Sequence, residues 1–235
     1  VVPEPVPFGI LHEDEHLLIV DKPAGIVVHP TKGHYSGTLA NGVVHYWLQR
    51  GEIRKFRPIH RLDQDTSGVL AVAKNAYAHQ FVNDQFERGT VKKTYLAVVR
   101  GVPAASEGLV EGPIARDPVQ RHIRIVTPEG APSATRYEVV ERFRGAALVR
   151  VVPLTGRTHQ IRVHMKHIGH PLVGDELYGG PEPEVGGERP ISRQALHAES
   201  LSFVHPGTKS RVEYSAPPPE DFLRLLEHFR EKVGG

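Results

Sequence analysis

Between Lys92 and Val152 the chain repeats one pattern, in which short β-branched and aromatic runs are each closed by glycine or proline turns. The runs at 94–99, 122–126, 135–140 and 147–151 are of strand length and of strand composition. Turns of this kind join antiparallel neighbours, whereas a parallel pair needs a crossover of a dozen or more residues. An antiparallel meander is therefore predicted here, and a fold of repeated βαβ units is not.

Helices frame that meander. Upstream, the apolar run at 17–20 ends in Asp21-Lys22-Pro23-Ala24-Gly25 and reads as a strand entering a turn. Thr38 precedes Leu39, Val43 and Trp47, which predicts a capped amphipathic helix despite Gly42. The run at 69–73 is a buried strand, and Asn75 then caps a helix that Gly89 ends. Downstream, Thr158 is a candidate cap for a helix bearing Ile161, Met165 and Ile168 on one stripe. Two further strands are expected around 196–203 and 211–215, before a closing helix with Phe222, Leu225, Leu226, Phe229 and Val233 on its apolar face. The first nine residues read as an extended arm, and 179–193, rich in Gly, Pro and Glu, as a mobile loop. With no internal repeat and no linker, the expectation is one α+β domain over 1–235, built on a mostly antiparallel mixed sheet flanked by helices.

Composition narrows the function classes. The 235 residues contain no cysteine, which excludes disulfides, thiolate metal sites and a cysteine nucleophile. No apolar run approaches the roughly 20 residues of a membrane span, so no membrane partner is expected and the cytoplasm is the default location. Val1 stands where an initiator Met is expected, which leaves room for a segment upstream. The net charge of +2 conceals local density. Arg54, Lys55, Arg57, His60 and Arg61 fall within eight positions, and Arg116, Arg121, His122 and Arg124 within nine. Such clusters suit a polyanion or a solvated face.

Two polar blocks are hard to place in a core. The first is HRLDQDTSG at 60–68, which feeds directly into the strand at Val69 and can hold a carboxylate at a sheet edge. A plain turn, with Asp63 or Asp65 bonded to its own backbone, fits the same letters. Asp63 and Asp65 stand too near each other to straddle a sugar as a glycosidase pair does. The second block is TGRTHQIRVH at 155–164, where Arg162 falls one turn beyond Thr158. Of His159, His164, His167 and His170, His164 and His167 share a face but lack an obvious third protein ligand, and no metal site is expected.

With KKTYLAVVRG at 92–101, GRTHQIRVH at 156–164 followed by GHPLVGDELYG, LLIVDKPAGIVVHP near the start and RQALHAESLSF near the end, the chain resembles the RluA-type family of RNA pseudouridine synthases from about residue 10 to 222. The resemblance implies the pseudouridine synthase fold and an isomerase that breaks the bond from ribose carbon 1 to uracil nitrogen 1 and rejoins the ribose to carbon 5. It implies Asp63 as catalytic aspartate, Tyr95 as the aromatic residue against the base and Arg162 as the basic partner of the aspartate. Ile161 corresponds to an apolar wall of the site, and Arg61 to a side chain that fills the space left by an extruded base. His60 and Arg157 are further candidates for substrate binding, Arg157 also being the rival to Arg162. The implied partner is RNA, with large-subunit ribosomal RNA placed ahead of transfer RNA. No cofactor is implied, and a monomer is expected. A silent RNA-binding protein of the same fold and a nucleoside hydrolase are the competing readings.

Overall fold

The computed structural model describes residues 1–179 and 191–233, so most of the 179–193 loop lies outside the described residues. In chain order the elements are β1 (Gly9–Glu13), β2 (Leu17–Lys22), α1 (Leu39–Gln49), β3 (Arg57–Pro58), β4 (Ser67–Ala73), α2 (Ala76–Glu87), β5 (Lys92–Arg100), β6 (Glu107–Glu111), β7 (Ile114–Arg116), β8 (Arg124–Val126), β9 (Ala134–Arg142), β10 (Ala146–Pro153), α3 (Gln160–His167), β11 (Leu196–Val204), β12 (Arg211–Ser215) and α4 (Glu220–Val233). Contacts group them into two compact units, Val1–Lys93 with Ala198–Pro217 and Thr94–His197 with Pro218–Gly235.

In the first unit the strand order is β1-β2-β4-β11, with β3 also pairing β4 and β12 pairing β11. β4 is buried along its whole length, consistent with a central strand, and Gly68 near its start has a reason to be glycine. At φ +122°, a Cβ there would sit 2.1 Å from the Ala198 carbonyl oxygen, so only glycine lets β11 approach. The predicted caps form: Thr38 and Asn41 make a reciprocal capping box at α1, and Asn75 Oδ1 accepts from the Ala78 amide at α2. Gly42 is explained by the N-terminal arm, because a Cβ at that point of α1 would meet the Val6 carbonyl oxygen at 2.6 Å. The core gathers Leu17, Ile19, Val69, Ala71, Ala78, Val82 and Phe203.

In the second unit the order is β5-β10-β9-β6, antiparallel throughout, with β7 and β8 forming a separate two-stranded ribbon. The strands are antiparallel as expected, but the path is not a simple meander. β5 pairs with β10, the last strand of the run, and β6 lies at the far side of β9. The apolar stripe of α4 is correctly placed, with Phe222, Leu225 and Leu226 buried and Phe229 packed beside them. The expected cap of α3 is not. His159 occupies that position in the left-handed region at φ 57°, with no side-chain cap, and Thr158 takes no part. The side-chain amide of Gln160 organises the helix start instead. Its Oε1 accepts from Thr155 Oγ1 at 2.8 Å and from the Arg157 amide at 3.1 Å. Its Nε2 donates to the Ala134 carbonyl and to Thr135 Oγ1, both at 2.9 Å.

Candidate active site

The first unit carries Asp63 on the loop between β3 and β4, and that loop is fastened from two sides. Lys22, fully buried, donates its ammonium to the carbonyls of Pro23 at 2.8 Å, Ile26 at 2.8 Å and Gln64 at 2.9 Å. One cation thus binds the turn after β2 to the turn after Asp63. The Gly25 amide repeats the link by donating to the same Gln64 carbonyl at 2.9 Å. On the other side, His60 Nε2 accepts from the Ala71 amide of β4 at 2.9 Å while its ring stacks on Phe86, centroids 5.0 Å apart. Burial, reinforced by the positive charge of Lys93, lowers the His60 pKa to about 3. The ring is neutral at physiological pH, as an imidazole accepting an N–H bond must be.

Within this clamp Leu62 is buried and acts as an apolar plug, and the Asp63 carbonyl accepts from the Thr66 amide at 3.0 Å. Asp63 itself is half-buried and Arg61 exposed. The turn reading and the catalytic reading of this block are compatible, because the turn is closed by the Asp63 carbonyl and makes no demand on its carboxylate. His60, grouped with the substrate-binding candidates, faces inward onto β4 and α2.

The second unit carries Tyr95, Arg157, Ile161 and Arg162. Tyr95 on β5 pairs in register with Val151 of β10 and is half-buried. It packs against a cluster that includes Ile161, Val149, Val151, Met165 and Leu196, so Tyr95 and Ile161 share one apolar bed. Arg162 is buried and makes a two-pronged ion pair with Asp175, Nε to Oδ2 and Nη2 to Oδ1 both at 2.8 Å. Its guanidinium carbon also lies 5.0 Å from the centroid of the Tyr178 ring. Tyr178 is held in turn: its hydroxyl accepts from the Arg124 amide at 2.9 Å and meets His159 Nδ1 at 2.6 Å. Arg157 differs from Arg162 in every respect. It is exposed and donates Nη2 to the Pro132 carbonyl at 3.0 Å.

Asp175 and Tyr178 were not singled out from the sequence, although both lie in the quoted GHPLVGDELYG stretch. An acid close after a basic helix was the available signal.

The histidines of the second block have separate partners. His164 Nδ1 meets Thr135 Oγ1 at 2.7 Å and its Nε2 meets the Gly112 carbonyl at 2.9 Å, while His170 Nδ1 meets the Arg100 carbonyl at 2.9 Å. Burial lowers the His164 pKa, favouring the neutral ring that this bonding uses. Among the described residues, one group has the composition of a metal site: His12, Asp14 and His205. Proton accounting assigns it otherwise. His205 Nδ1 accepts from the amides of Gly207 at 2.9 Å and Thr208 at 3.2 Å, so its proton is on Nε2, which donates to Asp14 Oδ2 at 2.6 Å. A nitrogen that donates a proton has no lone pair for a metal. Burial would raise the Asp14 pKa, but bonds from His12, His205 and the His16 and Leu17 amides hold it well below the usual carboxylate range.

The first unit thus holds a clamped turn that carries Asp63, and the second a tyrosine on an apolar bed and a buried arginine fixed by an ion pair. Comparison with known proteins gives the family. A family model described as RNA pseudouridylate synthase matches residues 16–167. A Bacillus subtilis protein named "Uncharacterized RNA pseudouridine synthase YlyB" is 44% identical over 234 residues, covering 98% of this chain and 76% of that protein. The "Ribosomal large subunit pseudouridine synthase D" of Pseudomonas aeruginosa is 45% identical over 230 residues, covering 94% of this chain and 72% of that one. Among solved structures, "Human RNA Pseudouridylate Synthase Domain Containing 1" aligns at TM-score 0.75 and 30% identity, covering 92% of this chain and 85% of that chain. "Human RNA Pseudouridylate Synthase Domain Containing 4" aligns at TM-score 0.77 and 26% identity, covering 94% and 93%.

The chain belongs to the RNA pseudouridylate synthase family. The family model and the named relatives support an RluA-type member, and the enzyme class is RNA pseudouridine synthase. The α+β fold, mostly antiparallel with four helices, is the fold of those synthases. Among the described residues no helix is long and apolar enough to cross a membrane.

Proposed function

We propose that this enzyme converts a uridine of large-subunit ribosomal RNA to pseudouridine, with Asp63 acting at the ribose. The observation that carries the catalytic part is the clamp on the Asp63 loop: a half-buried aspartate on a turn held by Lys22 and His60 is built for positioning. The target is supported by the relatives at 40–45% identity that are named ribosomal large subunit pseudouridine synthase D.

In the proposed reaction the bond from carbon 1 of the ribose to nitrogen 1 of uracil breaks, and the base turns in place. Carbon 5 then bonds to carbon 1, the proton leaves carbon 5, and nitrogen 1 ends protonated. Attack by the Asp63 carboxylate on ribose carbon 1, the carboxylate leaving again as carbon 5 bonds there, or removal from ribose carbon 2 of a proton that is returned when carbon 5 bonds to carbon 1, serves the first step. Tyr95 stacks with the detached base, a contact tolerant of rotation, and its hydroxyl takes part in proton removal from carbon 5. Ile161 extends the apolar wall that Tyr95 shares. Arg162, immobilised by Asp175, supplies a fixed positive charge for the carboxylate chemistry. Arg61, exposed beside Asp63, fills the stack vacated by the extruded nucleotide. His60 is a positioning residue, and Arg157 binds the RNA backbone from the surface.

Pseudouridine mapping of total RNA from cells with and without the protein tests target and activity together. Loss of a modification in large-subunit ribosomal RNA is expected. Loss confined to transfer RNA would overturn the target. In vitro, Asp63→Asn abolishes tritium release from carbon 5 of labelled uridine while RNA affinity stays within a few fold. Turnover by that variant, or free uracil as the product of the wild type, would overturn the mechanism.

A further inference from the structure

Of the two basic clusters in the sequence, the first has one arginine tied to a carboxylate and the second, among the described residues, has none. Arg54 donates Nε to Glu52 at 2.5 Å and Nη1 to the Lys74 carbonyl at 3.0 Å, so it works as a local tie. Arg116, Arg121 and Arg124 have no carboxylate within ion-pair range among the described residues. Arg116 and Arg124 are moreover directly opposite each other in the β7–β8 register. Two like charges in direct cross-strand register destabilise a ribbon. The fold gains nothing from that pairing, and a polyanionic ligand gains a great deal.

The ribbon is also rigid enough to serve as an arm. Its base is pinned by mutual backbone bonds of 2.9 Å between Ile114 and Ala131, and Ile114 packs with Val163 and Tyr178. The Arg124 amide donates to the Tyr178 hydroxyl, whose ring also lies 5.9 Å from Lys166 Nζ. At the tip the one acid, Asp117, turns its carboxylate onto the amides of Val119 at 2.8 Å and Gln120 at 2.9 Å. Two nearby acids are likewise occupied, Glu129 by Thr127 and Asp175 by Arg162. Arg121 and His122 stand exposed between the strands. The segment 114–126 contains no Phe, Tyr or Trp on which a base could stack, His122 being its one ring.

We propose that the β7–β8 ribbon is an arm that grips the phosphate backbone of the substrate RNA through Arg116, Arg121 and Arg124, without reading its sequence. This rests on the assignment of the chain as an RNA enzyme and adds where and how the carrier strand is held. Cations without stacking partners contact phosphates, and such contacts add to affinity equally for all sequences.

The test is fluorescence anisotropy with two labelled RNA hairpins of equal length and unrelated sequence, titrated from 50 to 200 mM KCl. For Arg116→Gln/Arg121→Gln/Arg124→Gln, each lost contact lowers the salt slope by about 0.7 to 0.9. The ratio of wild-type to variant affinity therefore shrinks by roughly 20- to 40-fold across that range for both RNAs. The corresponding triple Lys variant restores the slope, and Arg224→Gln on α4, where the cation already pairs with Glu220, leaves it unchanged. An unchanged slope in the Gln variant with its melting temperature intact overturns the proposal, as does a loss seen with one RNA only. An acidic protein partner for the ribbon predicts that unchanged slope. If the slope falls as expected but the wild type makes no pseudouridine in any RNA, the ribbon assignment stands and the activity assignment falls.

Discussion

Replacing His60 by glutamine separates its two physical parts, acceptor and titratable ring. A glutamine carbonyl oxygen can still accept from the Ala71 amide, but it cannot take up a proton. In the wild type the folded pKa is about 3 against an ordinary 6.5, because burial and Lys93 oppose the charged form. The sign follows: a depressed histidine leaves stability intact above pH 6.5, and the unfolded chain gains a proton that the native one refuses as pH falls from 6.5 towards 3. Stability is lost at about 1.4 kcal/mol per pH unit in that window. Between pH 7.5 and 5 the wild type therefore loses about 2 kcal/mol through His60 alone. The glutamine variant does not. Urea unfolding followed by circular dichroism at pH 7.5, 6 and 5 measures the difference between the two proteins, and other titrating groups cancel in it. The variant is expected to be the less stable at pH 7.5, where it loses the Phe86 stack, and to gain about 2 kcal/mol on the wild type by pH 5. A difference that stays constant with pH would refute the neutral, buried His60 and with it one side of the clamp on Asp63.

Asp175→Asn leaves the Arg162 guanidinium buried without its countercharge; it should cost about 3–5 kcal/mol of stability by urea titration and depress turnover in the fraction that remains folded. Gly68→Ala drives a methyl into the Ala198 carbonyl at an unfavourable φ, so a loss of at least about 2 kcal/mol or failure to fold is expected in thermal melts. Arg61→Ala should lose more activity on folded RNA than on a short unstructured strand, since the latter has less stacking to break; equal losses in a tritium-release assay would remove Arg61 from base extrusion.

What was legible in the sequence was local. Capping at Thr38 and Asn75 involves residues three apart, and the apolar face of α4 is a simple periodicity. β1, which begins where the predicted arm ends, went unseen, and β6, with only Val110 buried, offers no apolar run. The path of the second unit was misread because pairing between β5 and β10 joins segments whose separation carries no local mark. Asp63, Tyr95 and Arg162 were named as candidates through motif resemblance, which records residue identity but not what holds each one. Lys22 looked like the polar end of a strand; its three carbonyl partners include one contributed by Gln64. Thr158 looked like a cap, but the Gln160 amide and the left-handed His159 shape that helix start. Charge density likewise ranked Arg54 with Arg121, and only the coordinates reveal that Arg54 is tied to Glu52.

The clamp also bears on transplanting the Asp63 turn into another scaffold. Residues 60–68 look like a portable cassette, short, contiguous and bounded by strands. The fastener at Gln64 is donated by a lysine 42 residues away, and the anchor for His60 is an amide of the following strand stacked under a helix aromatic. A host receiving only the cassette would display the aspartate on a loose turn, whereas one that also receives β2 through Lys22, β4 and the Phe86 turn of α2 inherits the geometry. The smallest portable piece is therefore a sheet fragment with its covering helix, and directed evolution starting from the bare loop would first have to rebuild those supports before improving any rate.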